Sequence, residues 1–212
     1  MSVTTVPSTP VTFGLRAESL RGPEQLDQDI QQKEAKPPVV VGVTPICPYG
    51  LSACWGGAYE GLKHLSGVRL VRPMPNAKDS TGFVYLKDAG LPDIEAWPNE
   101  FAKIANAVHR IRGVEISVNG LVRDLGGAAV IMQGDGPRPS ILLQPIEPSD
   151  KIQWNAANAS PQPLTSDEQK AYESLEEKVK DGGGSLQATV TGPLQKSGQG
   201  YILKVRQFSV RP

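Results

Sequence analysis

The chain has 212 residues, of which 39% are hydrophobic, with 22 lysines and arginines against 22 aspartates and glutamates. That is enough for one large domain or two small ones. A formal charge of zero argues against a protein whose main affinity comes from neutralising phosphates, because such a site needs a surplus of basic side chains.

The neutrality is local. Residues 1–37 carry 4 basic and 5 acidic side chains, 38–113 carry 8 and 6, and 114–212 carry 10 and 11, so no basic domain hides behind an acidic one. With 19 prolines and 22 glycines, loops and short strands are expected rather than long helices. No stretch approaches the roughly 18 apolar residues of a membrane span. The N-terminus shows neither the basic nor the apolar region of a signal peptide. The default expectation is a cytoplasmic protein, or an exported one if the true start lies upstream.

Residues 1–37 are polar, without a sustained apolar period, and read as a disordered tail. A short helix over Pro23 to Lys33 would have only Leu26 and Ile30 to bury. From Val39 the pattern alternates. Val39 to Thr44 is a β-branched strand run, and Trp55, Ala58, Tyr59, Leu62 and Leu65 form one face of a helix. Val68 to Arg72 and Gly82 to Lys87 read as strands. A second helix carries Trp97, Phe101, Ile104, Ala105, Val108 and Ile111 inward, and Val114 to Val118 returns to strand. This β-α-β-β-α-β order over 38–113 is the ferredoxin-like split βαβ arrangement within an α+β chain.

The remainder, 114–212, has a different rhythm. Strand signals at Val114 to Val122, Ala128 to Gln133 and Ser140 to Ile146 precede a long polar loop to Leu164. A capping box, Thr165-Ser166-Asp167-Glu168, then opens a helix that buries Ala171, Tyr172, Leu175 and Val179. Strands at Ser185 to Gly192 and Tyr201 to Val210 complete a five-stranded OB-like order, with the strand at 114–122 shared between the two units. Gly134-Asp135-Gly136-Pro137 reads as a hairpin turn.

The sharpest chemical clue is a pair of cysteines. Cys47 and Cys54 are the two in the chain, and such close spacing suits a disulfide, a reduced thiol pair or a metal site. The segment Gly50-Leu51-Ser52-Ala53-Cys54-Trp55, followed by a helix and then Leu65-Ser66-Gly67-Val68, resembles the heavy-metal-associated domain of copper chaperones and metal-transporting ATPases. That family carries a Gly-Met-x-Cys-x-x-Cys loop before its first helix and a Gly-Val entering its second strand. With Gly67-Val68 laid on that Gly-Val, Cys54 falls on the second motif cysteine and Leu51 on the first, and the likeness covers roughly residues 39 to 118. The resemblance implies a soft metal ion such as Cu(I), held by Cys54 with Cys47 as the substitute second thiolate.

His64 and His109 are expected on helix surfaces, and Met74 in a loop. Trp154, in the long loop, is the aromatic offered as a partner contact. Nucleic-acid binding by the OB-like part is disfavoured by its charge, and no catalytic motif argues for an enzyme. The expected function is a non-catalytic binding protein with Cys47 and Cys54 holding a soft metal. The rival is a structural or protein-interaction module in which the two cysteines form a disulfide or stay as free thiols.

Overall fold

The structure is a computed structural model that describes residues 22–45, 50–105, 108–133, 140–198 and 200–210. It is a mixed α+β chain with one large, mostly antiparallel sheet and few helices. Helix α1 spans Pro23–Lys33 and strand β1 Val39–Pro45, followed by the single turn α2 at Gly50–Ala53 and helix α3 at Trp55–Lys63. Strands β2 (Val68–Val71) and β3 (Thr81–Leu86) precede helix α4 (Trp97–Ile104) and the long strand β4 (His109–Asp124). Strands β5 (Ala129–Met132) and β6 (Ile141–Pro145) lead into a small hairpin of β7 (Trp154–Asn155) and β8 (Ser160–Pro161). Helix α5 (Ser166–Asp181) and strands β9 (Ser185–Ser197), β10 (Gly200–Val205) and β11 (Gln207–Val210) complete the order.

In the first half the strands lie in the order β4-β1-β3-β2, every neighbour antiparallel. Helices α3 and α4 supply apolar residues at helical spacing, so Trp55, Ala58 and Leu62 share a core with Trp97, Phe101, Val41, Val43 and Val84. The two helices approach closely at Gly61, where a Cβ would lie 2.7 Å from the Phe101 ring. Both buried indoles have their N–H satisfied: Trp55 Nε1 donates to the Pro73 carbonyl at 2.7 Å and Trp97 Nε1 to the Ser66 carbonyl at 3.0 Å. That pairing lets two bulky polar-tipped side chains stay inside.

In the second half the pairings close on themselves. Strand β4 pairs with β5, β5 with β6, β6 with β10, β10 with β9 and β9 back to β4, the β6–β10 pair alone being parallel. Alternation along these strands sends Val122, Ile131, Ile141, Leu143, Val190, Leu203 and Val205 inward, where Ala171, Leu175 and Val179 of α5 meet them. The capping box of α5 forms as expected: the Thr165 hydroxyl accepts from the Glu168 N–H, and the Glu168 carboxylate accepts from the Thr165 N–H.

The two halves hold one network of buried charge. Arg206 reaches Glu115 through two hydrogen bonds, at 2.8 and 2.6 Å, and Glu168 at 3.3 Å. Lys151 completes it, donating to Glu168 at 2.6 Å and to the Pro163 carbonyl at 3.0 Å. Burial alone would raise the Glu168 carboxyl, yet the hydrogen bonds from Lys151 and the Thr165 backbone hold it below its ordinary value. These four residues come from β4, the long loop, α5 and the turn after β10, and so tie together parts of the chain far apart in sequence.

Three expectations need correction. Residues 23–33 lie inside the segment expected to be a disordered tail, but they form α1, and its Asp27 and Ile30 are buried. The reason is electrostatic as much as apolar: the Arg72 guanidinium, stacked 4.2 Å from the Phe83 ring centre, donates twice to Asp27. Residues 1–21 lie outside the described residues, as does the turn at Gly134 to Pro137. Second, the helix expected to run to Ile111 stops at Ile104, because 109–111 instead pair with β1, His109 opposite Pro45 and Ile111 opposite Val43. Third, the run Tyr201 to Val210 is two strands broken at Arg206, which turns inward to Glu115.

Burial by itself would raise the Asp27 carboxyl, but hydrogen bonds and charge from Arg72 outweigh it and hold the group below the usual range. Such a carboxylate contributes stability above its unfolded pKa of about 3.9, and that contribution is lost as pH falls through the folded value. Asp27→Asn should therefore cost about 1–2 kcal/mol at pH 7 in urea denaturation. The gap between wild type and variant should close below about pH 4; a constant gap across that range would show that the ion pair does not hold α1 down.

Candidate functional site

The loop that carries the chemistry is built on two short helical segments. Gly50 takes a φ of +78°, a conformation glycine adopts without penalty, and starts α2. Leu51 is buried and anchors the turn, and the Cys54 N–H closes it by donating to the Leu51 carbonyl at 3.2 Å. Cys54 then occupies the N-cap of α3 without making a side-chain cap. Its sulfur is disulfide-bonded. Cys47 lies outside the described residues.

His109 was expected on a helix surface, and the structure places it elsewhere. It begins β4, is 3% exposed, and its ring lies beneath the first turn of α3. Neither ring nitrogen makes a well-formed hydrogen bond, although the Cys54 backbone faces the ring. Burial pushes its pKa down, against the smaller opposing effect of the Cys54 backbone, so the ring is neutral near pH 7. The sequence missed this neighbour because 55 residues separate the two in the chain and only the β1–β4 register brings them together. His64 is exposed as expected, its Nδ1 2.8 Å from the Glu60 carbonyl. Met74 is half-buried in the loop after β2.

Trp154, the expected partner contact, is half-buried and engaged within the chain. The Arg112 guanidinium lies 5.0 Å from its ring centre, and the Trp154 backbone N–H donates to the Asp79 carbonyl at 2.9 Å. Arg112 is a second residue that sequence reasoning missed. It donates to Thr44 Oγ1 at 3.0 Å and to the carbonyls of Asp79, Ser80 and Ile152, and burial lowers its pKa to about 10, which leaves it charged at neutral pH. Ile152 beside it seats directly on the sheet over Gly42 and Gly113, where a Cβ would lie 3.1 Å from its carbonyl oxygen and 2.8 Å from its Cγ2 respectively. Arg112 thus latches the long loop to the first half of the sheet.

A cleft of about 230 Å³ lies between the segment after α1 and the loop after β3, lined among others by Glu34, Lys36, Arg69, Tyr85, Asp88 and Ser117. Two of these lining residues, Arg69 and Glu34, form an ion pair at 2.6 Å. No group of three or more metal-ligating side chains occurs among the described residues. A sulfur held in a disulfide is not a thiolate donor, so Cys54 as it stands does not fit the soft ion that the resemblance implies. No family model, no curated protein and no solved structure matches the chain.

Replacing Arg112 by Met would remove the donor that Thr44 Oγ1 and the Ile152 carbonyl use and one of the two that the Asp79 and Ser80 carbonyls use. The expected cost is about 3 kcal/mol, read as a lower urea midpoint, together with new protease cleavage within 146–164. Cleavage confined to other segments would show that the latch lies elsewhere.

Proposed function

We propose that the chain is a non-catalytic binding protein: a protein-interaction module in which a ferredoxin-like unit and an OB-like barrel share β4. The supporting topology is the β4-β1-β3-β2 order with α3 and α4 on one face, the split βαβ pattern. For the second unit it is the closed ring β4-β5-β6-β10-β9, with a helix between its third and fourth strands and a parallel closing pair.

One observation carries the choice between the module and the metal carrier. Cys54, at the position matching a metal-motif cysteine, is disulfide-bonded. In this reading the loop is a degenerate metal site closed as a Cys47–Cys54 disulfide. A disulfide also favours an oxidising compartment over the cytoplasm, so the reading goes with an exported protein. For the barrel, protein rather than nucleic acid is the favoured partner. Its 10 basic and 11 acidic residues offer no electrostatic attraction for phosphates. Its Tyr172, Tyr201 and Phe208 pack against the core instead of forming an open stacking platform.

A thiol count on denatured but unreduced protein, paired with elemental analysis of the purified sample, tests the reading. The expected result is no free thiol and no stoichiometric soft metal. Two free thiols with one copper per chain would overturn it and return the assignment to a Cu(I)-binding protein using Cys54 and Cys47.

A further inference from the structure

The core of the first unit lies on one face of its sheet. Gly82 looks into it, where a Cβ would lie 2.8 Å from Leu62 Cδ1 and from the Trp55 ring, and Val84 joins the same core. Side chains alternate along a strand, so Phe83 and Tyr85 stand on the opposite face. Helix α1 docks there. Arg72, stacked on Phe83, donates twice to Asp27, Arg69 pairs with Glu34 at 2.6 Å, and Ile30 is buried. Tyr85 is buried too, and lies within the field of both ion pairs: burial raises its phenol, and the charges of Arg72, Glu34, Asp27 and Arg69 all act on it.

Asp27, Ile30 and Glu34 follow one another at steps of three and four, which sets a carboxylate, an aliphatic side chain and a second carboxylate in one stripe along a helix. The helix that carries the stripe is slight. Of its eleven residues only Asp27 and Ile30 are buried, and its N-cap makes no side-chain hydrogen bond. A helix of that length does not hold itself together in water. Ile30 and Tyr85 are buried without belonging to the core that α3 and α4 fill. That core is packed from the far face of the sheet, so it does not depend on α1 being docked.

We propose that the face bearing Phe83, Tyr85, Arg72 and Arg69 is a receptor for an acidic amphipathic helix of a partner protein, and that α1 is a strap occupying it in cis. The proposal rests on the interaction-module reading and names the partner's chemistry. Residues 23–34 carry four acidic side chains against one basic. The face answers with two guanidiniums, planar forks suited to carboxylates. A partner helix with the same stripe would meet the same groups, its aliphatic residue taking the place of Ile30. The tether from Ala35 to Pro38 is short, which gives α1 an effective concentration on the order of millimolar. The apparent affinity for a helix in trans therefore scales with the fraction of molecules whose strap is undocked.

The test is fluorescence anisotropy of a labelled synthetic peptide with the sequence of residues 22–35, titrated with the full chain, which keeps its own α1. Ile30→Ser in the chain weakens docking in cis and should tighten peptide binding about tenfold over wild type. Arg72→Glu should invert the preference, rejecting that peptide and taking the Asp27→Lys peptide instead. Circular dichroism establishes that each variant is folded. Native hydrogen exchange gives a readout free of variants: the amides of α1 should exchange at least about tenfold faster than those of α3 and α4. Equal protection of the three helices, no peptide uptake by the folded Ile30→Ser chain, or no inversion by Arg72→Glu would each overturn the proposal. So would a single-stranded oligonucleotide that binds the Ile30→Ser chain as tightly as the peptide, or a wild-type dimer that Ile30→Ser dissociates, which would make a second copy the occupant. Copper held by two free thiols would instead overturn the module reading beneath it.

Discussion

A strand has two edges, and β4 uses both. Over its first residues, from His109 to Glu115, one edge is taken by β1; from Val114 to Arg123 β9 pairs with it, and β5 joins over Leu121 to Asp124. Val114 and Glu115 are held from both sides at once, by Val41 and Val40 of β1 and by Leu194 and Pro193 of β9. Backbone hydrogen bonds therefore run without a break from the open sheet into the closed ring. Because side chains alternate along a strand, the register that β4 keeps with β1 from Gly113 onward and with β9 sets which residues face inward where the halves meet, the pairing with β1 shifting once between Gly42 and Val43.

That junction is also where the charge lies. Glu115, 2% exposed, stands at the doubly paired point and must be neutralised there, because an isolated buried carboxylate would be far too costly. Arg206 does this from the break between β10 and β11, and Glu168 and Lys151 extend the network to α5 and the long loop. Such ion pairs add little net stability compared with apolar residues of the same shape. Their effect here is geometric: each needs a particular partner, so the barrel closes, the helix docks and the loop returns in one arrangement. Arg112 acts likewise on the other side of the loop, binding carbonyls in place of a carboxylate.

Much of the local structure was readable from periodicity and end signals. The apolar steps of α3, the capping box at Thr165 and the β-branched run of β1 each act within a few residues, so the chain displays them directly. What misled was pattern shared between states. Ile104, Ala105, Val108 and Ile111 continue a helical spacing, but the last of them joins a strand because β1 offers an edge to pair with. The polar stretch before residue 34 offered only Leu26 and Ile30 to bury, and its helix docks with Ile30 inside because Asp27 also finds Arg72, 45 residues later.

The candidate site divides in the same way. The sequence alone determined that two cysteines lie close together, that Cys54 directly precedes a helix, and that no run of basic residues exists for phosphates, since each depends only on neighbours along the chain. Which chemistry those cysteines enter was decided in three dimensions. The burial of the His109 imidazole under α3 and the Arg112 latch over Trp154 depend on groups that meet only after β1, β4 and the long loop have packed. A contact between residues distant in the chain leaves no local pattern to read, because its energy is realised only when tertiary structure removes both partners from water.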